Sequence, residues 1–189
     1  MTGRHGSRVP AGPADPADGR DGQPGAAAAV PAARLRLMSP ADLTDVLALE
    51  CELFPDDPWT AEMFAEEVVQ PASSRLYLVA EEMGVEGRPH PMAGYAGMMF
   101  VPGGSQADVL TIAVAPSCWG RGIGSALLGA LLKAARDRRC AEVFLEVRED
   151  NPRARGLYLR RGFVEIGVRR GYYQPSGVNA IVMRKDMLR

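Results

Sequence analysis

The sequence predicts a mixed sheet flanked by helices, of α/β (α+β) class, folded as one domain. Three observations carry this. Short alternating or β-branched runs recur along residues 34–185, separated by amphipathic stretches of helical period. One unit reads strand, glycine-rich turn, long helix, strand, which is the pattern of a parallel crossover. Composition also changes abruptly. Residues 1–33 are mostly Gly, Pro and Ala with almost no large apolar side chain, so they cannot offset the entropy of ordering a chain. They are expected to be a disordered tail, and residues 34–189 are a normal size for one core.

Leu35 and Leu37 alternate with Arg34 and Arg36 as a first strand. Ser39, Pro40 and Asp42 then supply a cap, a first-turn proline and a first-turn acid for a helix that carries Leu43, Val46, Leu47 and Leu53 on one side. The segment from Phe54 to Trp59 breaks it. Thr60 can cap a second helix with Met63, Phe64, Glu67 and Val68 at helical spacing. Residues 76–80 and 92–101 read as a hairpin across a polar loop, and residues 107–114 as the next strand. A helix over 122–138 leads to a strand at 142–147, a shorter helix at 152–161, and strands at 163–170 and 180–185.

The turn before the long helix is a site for anions. Gly120, Gly122 and Gly124 lack Cβ atoms, so successive backbone N–H groups can face one ligand, and the helix start adds its unpaired donors. A glycine-rich turn holding no ligand is the other reading. No Gly-x-x-x-x-Gly-Lys-Ser/Thr is present, and Leu127 occupies the third glycine position of a Gly-x-Gly-x-x-Gly read from Gly122, which excludes the usual nucleotide loops. Glu146 is an acid within an otherwise apolar strand, where an unpaired charge is costly. It has either a function or a solvent-facing position balanced by Arg148. Arg153, Arg155, Arg160 and Arg161 form a solvated helix face or pair with an anion.

The stretch from Trp119 to Gly124 resembles the Gln/Arg-x-x-Gly-x-Gly/Ala signature of the GNAT superfamily of acyl-CoA N-acyltransferases, with Trp119 departing from the usual first residue. Residues 145–151, Leu157-Tyr158 and Gly162-Phe163 are similar to its ribosomal-protein-alanine N-acetyltransferase branch, and the similarity spans residues 35–185. The resemblance implies a mostly antiparallel twisted sheet with a central parallel strand pair that opens to hold acetyl-CoA. It implies transfer of the acetyl group to the α-amine of a ribosomal protein that begins with alanine. Glu146 would be the base and Tyr158 the proton donor, although a tyrosine on a short helix also serves as core. Ile112, Ala113 and Val114 would pair with the pantetheine arm; Gly120, Arg121, Gly122, Ile123, Gly124 and Ser125 would hold the pyrophosphate; and Asn151 would add a cofactor contact. Trp59, with Phe54 and Pro55, and Tyr172 with Tyr173 match the walls of the peptide groove, or else pack around loop ends. Asn179 stands where an acid is common.

A net charge of −1 argues against a general polyanion partner such as nucleic acid. Cys51, Cys118 and Cys140 are odd in number and lack Cys-x-x-Cys spacing, so neither a disulfide framework nor a zinc site is expected, and no metal is called for. Reduced cytosol fits best. No signal-like or membrane-spanning apolar run occurs, so a soluble cytoplasmic protein is expected. Two other functions share these features: a GNAT enzyme acting on lysine or a small amine, and an acyl-CoA-binding module without activity. If the tail lacks core-forming side chains, removing residues 1–33 should leave the melting temperature within about 2 °C and turnover within about twofold. Loss of turnover in a folded, truncated chain would instead give the tail a part in acceptor capture.

Overall fold

The computed structural model describes residues 33–56, 58–82 and 91–188. The expected tail lies outside them except for Ala33, as does most of the 82–91 loop. Among the described residues seven strands form one sheet in the spatial order β1 (Ala33–Leu37), β2 (Arg75–Glu82), β3 (Met92–Phe100), β4 (Gln106–Val114), β5 (Glu142–Arg148), β7 (Val178–Asp186) and β6 (Val164–Tyr173). Neighbours are antiparallel except β4 and β5, which are parallel. Helices α1 (Leu43–Leu53) and α2 (Ala61–Val68) precede β2; α3 (Ile123–Asp137) links β4 to β5, and α4 (Pro152–Arg160) links β5 to β6. No described helix is long and apolar enough to cross a membrane.

Local chemistry sets the element ends. Asp42 accepts from the Ser39 N–H at 2.7 Å and from its hydroxyl at 2.9 Å, while Arg36 of β1 forks onto the same carboxylate at 2.6 and 2.7 Å. This fixes the turn from β1 into α1. Thr60 caps α2, accepting from the Met63 N–H at 3.3 Å. An eight-residue helix is marginal alone, and burial of Phe64 supplies roughly 1.5–3 kcal/mol of the packing that holds α2 to the sheet. The strand expected at 163–170 runs on to Tyr173, which brings Tyr172 and Tyr173 into the sheet.

The sheet separates two cores. Alternation sends Leu78 and Ala80 of β2 to one face and Tyr77 and Val79 to the other. The larger core packs α3 through Ile123, Leu127, Leu128 and Leu131, together with Ala154 and Tyr158 of α4. The smaller core packs α1 and α2 through Val46, Leu49 and Phe64 against Tyr77, Tyr95 and Leu110.

A gap opens in the middle of the sheet. β4 and β5 pair only at Gln106↔Glu142, Ala107↔Val143 and Asp108↔Phe144. Immediately beyond, the β3–β4 register shifts: Gly97 faces Thr111 and Met98 faces Val109, so Leu110 is an extra residue on β4. A bulge bends the strand that carries it. Bent there, β4 stays on β3 but parts from β5, while β5 remains paired with β7 from Glu142 to Arg148. This is the opening parallel pair that the resemblance implied.

Candidate active site

Backbone direction along the gap follows from the β3–β4 ladder. The Ala115 N–H donates to Ala93 C=O at 2.9 Å, which makes Val114↔Gly94 a non-hydrogen-bonded pair. Val114 therefore turns its N–H and C=O away from β3, and so does Ile112, two residues back in the same register. Ala113 is a correction to the sequence expectation. Its backbone groups face β3 and its methyl lies in the smaller core, so it offers nothing to the gap.

The turn from β4 into α3 lies at the end of this edge. Gly120 and Gly122 adopt φ of 75° and 77°, left-handed values that explain glycine at both positions. Gly124 is different. It is helical, and a Cβ there would meet Val114 and Leu157 at 3.6 and 3.7 Å, ordinary contact distances. Ile123 is buried in the larger core and contributes backbone alone. The Arg121 guanidinium binds Glu82 at 3.0 Å, and the Cys118 thiol donates to the same carboxylate at 3.1 Å. Ser125 accepts through its carbonyl from Arg161 at 3.0 Å, and its hydroxyl also contacts that guanidinium. Asn151 is 1% exposed; its side-chain oxygen caps α4, accepting from the Ala154 N–H at 3.0 Å. Its first task is to hold the helix that carries Tyr158.

Three of the four arginines of 153–161 are engaged: Arg155 pairs with Glu165, Arg161 with Ser125, and Arg153 lies over the Trp119 ring.

Alternation along β5 buries Val143, Leu145 and Val147 in the larger core and turns Glu146 to the opposite face. Its partner is Arg169 of β6, at 3.1 Å, and not Arg148. The row of Glu146 continues into Val182 and Gly167; with no side chain at Gly167, Arg169 can cross to the carboxylate. Arg148 instead binds Asp150 at 2.8 and 2.9 Å and lies over the Tyr173 ring. Its hydrogen bonds to Asp150, joined by the nearby charge of Asp56, hold it above the usual guanidinium range.

Tyr172 stacks under Arg169, and its ring meets Tyr173 edge-on at 5.2 Å. Asn179 accepts from the Gly171 N–H at 3.0 Å and donates to Glu149 at 2.7 Å, tying this hairpin to the end of β5. A cavity of about 320 Å³ opens here, lined by Glu149, Asp150, Gly177, Val178 and Asn179. Trp59 does not line an open surface. It is 3% exposed and packs on Phe64 at 5.1 Å in the smaller core.

Glu50 is a buried acid that the sequence did not single out. It is 2% exposed, accepts from the Trp59 backbone N–H at 2.9 Å and from the Tyr95 hydroxyl, and so pins the α1–α2 segment to β3. One signal was available: Glu50 follows Val46 by four and Leu43 by seven residues, on the apolar side of α1.

Tyr158 is fully buried, edge-on to Phe163, and its hydroxyl has no hydrogen-bond partner among the described residues. Leaving a buried hydroxyl unsatisfied costs about 1–3 kcal/mol. With the open edge at Ile112 and Val114 and the left-handed glycine turn, this residue set fits a long anionic thioester cofactor that brings its own hydrogen-bonding groups. No cluster of three or more metal-ligating side chains occurs among the described residues.

The fold, the central gap and the glycine turn define an acyl-CoA-dependent transferase. The chain belongs to the acetyltransferase (GNAT) family, whose pattern matches residues 43–163, and it is an acetyl-CoA-dependent N-acetyltransferase. It is similar to the N-alpha-acetyltransferase RimI of Mycobacterium tuberculosis, with 40% identity over 149 residues, 77% of this chain and 87% of that protein. The putative [ribosomal protein bS18]-alanine N-acetyltransferase of Bacillus subtilis is 30% identical over 80% of this chain and 93% of its own. Among solved structures, the ribosomal-protein-S18-alanine N-acetyltransferase from Escherichia coli superposes with a TM-score of 0.69 at 29% identity, covering 82% of this chain and 94% of that one.

Burial, joined by neighbouring Tyr173, holds the Tyr158 phenol well above the usual tyrosine value of about 10. A phenol shifted upward stays protonated as pH rises through that value. In a spectrophotometric titration, wild type minus Tyr158→Phe should show no phenolate from Tyr158 below about pH 11 while the protein stays folded. An increment titrating near pH 10 would place the hydroxyl in water.

Proposed function

We propose that the chain transfers the acetyl group of acetyl-CoA to the N-terminal α-amine of a protein, with a ribosomal protein that begins with alanine as acceptor. What supports this is the surroundings of two side chains: Glu146, on the strand that borders the gap, pairs with Arg169, and Tyr158, on the following helix, has a buried hydroxyl with no hydrogen-bond partner among the described residues. The two side chains come from opposite faces of the sheet. A gap in the sheet is what lets them act on one bound pair of substrates. The acceptor class is supported by the relatives, which carry N-alpha and bS18-alanine acetyltransferase names. Cytosol, where ribosomal proteins are made, is the corresponding location.

Ile112 and Val114 would hold the pantetheine arm through the backbone groups that they turn away from β3. The Gly120–Ser125 amides would hold the pyrophosphate, with Arg121 and Ser125 shaping that turn. Bound acetyl-CoA supplies the activated acyl group as a thioester. Glu146 takes a proton from the acceptor ammonium, whose reference pKa is about 8, directly or through water, which frees the lone pair for attack. Arg169 keeps that carboxylate aimed. Tyr158 gives a proton to the departing sulfur, and its burial keeps the proton in place until then. Tyr172, Tyr173 and the segment backed by Trp59 and Glu50 form the walls against which the acceptor peptide lies.

Glu146→Gln should lower turnover by about 10²–10⁴ with acetyl-CoA affinity within about twofold, the signature of a lost base. Tyr158→Phe should also lower turnover with binding retained. On a peptide that starts with alanine and contains lysine, mass spectrometry should find the acetyl group on the α-amine, and blocking that amine should abolish labelling. Labelling of lysine would overturn the acceptor assignment. Full rates in both variants would remove Glu146 and Tyr158 from proton transfer.

A further inference from the structure

The residue that departs from the family signature has two specific contacts. The Trp119 indole N–H donates to the Val114 carbonyl oxygen at 2.8 Å, and the Arg153 guanidinium lies over the indole, 4.8 Å from the ring centroid. The Val114 carbonyl is the last acceptor on the open edge of β4, since that residue turns its polar groups away from β3. One side chain thus joins three elements bordering the gap: the end of β4, the turn that opens α3, and the first turn of α4.

The position of Arg153 sharpens this. A cation in the first turn of a helix is disfavoured by the helix dipole, so stability of α4 does not explain an arginine there. Its stack on Trp119 does, because a guanidinium over an indole face is attracted by the ring and holds the indole in one orientation. The loop between Val114 and Ile123 otherwise has two left-handed glycines and short-range turn bonds, with side-chain ties from Cys118 and Arg121 to Glu82 on its far side. Trp119 is the tie on the gap side.

We propose that Trp119 is a positioning residue for acetyl-CoA, setting the spacing between the open edge of β4 and the Gly120–Gly122 turn. The pantetheine arm and the pyrophosphate are covalently joined, so both can be bound at once only if edge and turn are the right distance apart. The indole bond fixes that distance before the cofactor arrives. A carbonyl oxygen has two lone pairs, so Val114 can accept from the indole and still accept from an amide of the cofactor. The proposal rests on the reading that this edge and this turn hold acetyl-CoA.

The test compares Trp119→Phe, which keeps a ring for Arg153 but removes the N–H, with Trp119→Gln, whose side-chain amide can donate to the same carbonyl. Trp119→Phe should raise both the KM for acetyl-CoA and the calorimetric Kd for CoA by about three- to tenfold, the loss of one hydrogen bond, with kcat at saturation falling less than twofold. Trp119→Gln should restore both constants to within about twofold of wild type. Gly122→Val separates the proposal from the reading beneath it. If Gly122→Val weakens CoA binding while Trp119→Phe binds like wild type, the positioning role is wrong and the cofactor site stands. If Gly122→Val binds CoA like wild type, the site reading fails and the proposal with it. A Trp119→Phe protein with a lowered melting temperature and kcat but an unchanged Kd would make the residue merely structural, and this also overturns the proposal.

Discussion

The parting of β4 from β5 is the constraint on which the rest of this structure depends. Three parallel pairs join the strands, an extra residue at Leu110 bends β4, and the pairing stops. A break in the centre of a sheet leaves backbone donors and acceptors without a ladder, a cost that folded proteins avoid unless something else satisfies those groups. Here the break is framed on every side. β3 holds β4 along its other edge, β7 supports β5 along its whole length, and α3 and α4 pack beneath. The opening is bounded by one strand that presents backbone and another that presents Glu146.

The candidate catalytic side chains lie on the two faces of that opening. On the side of the larger core, Tyr158 is locked by burial and by Phe163, and Asn151 caps its helix. On the other side, Glu146, Arg169, Tyr172, Tyr173 and Arg148 form a chain of ion-pair and ring contacts across β5 and the β6–β7 hairpin. Buried Glu50 fixes the segment between α1 and α2 by holding the Trp59 backbone and Tyr95. Burying a carboxylate is tolerable only when its oxygens are hydrogen-bonded, and this one is bonded to the Trp59 backbone and the Tyr95 hydroxyl.

Much of this was legible in the sequence, for identifiable reasons. Glycines at 120 and 122 announce left-handed backbone, and an acid alternating with Val and Leu announces a strand with one polar face, because both signals are local. What was illegible depends on register and strand order. Arg169 reaches Glu146 only because β6 lies outside β7 and leaves a glycine in the intervening row, so the adjacent Arg148 looked like the natural partner. Ala113 sits between two residues that face the gap, yet the ladder turns it toward β3, and the parity of a ladder cannot be read without its hydrogen bonds. Trp59 resembled a groove aromatic and proved to be core, while Glu50 stood in an acid-rich stretch and proved to be buried.

Residue-resolved amide hydrogen exchange with and without acetyl-CoA tests the role of the gap most directly. The Ala113 N–H is already bonded to β3, whereas those of Ile112 and Val114 face the opening. On saturation with acetyl-CoA, exchange at Ile112 or Val114 and in the Gly120–Ser125 turn should slow by about tenfold or more, with Ala113 unchanged. Protection confined to other strands, with these amides exchanging as before, would contradict the assignment of the gap as the acetyl-CoA site.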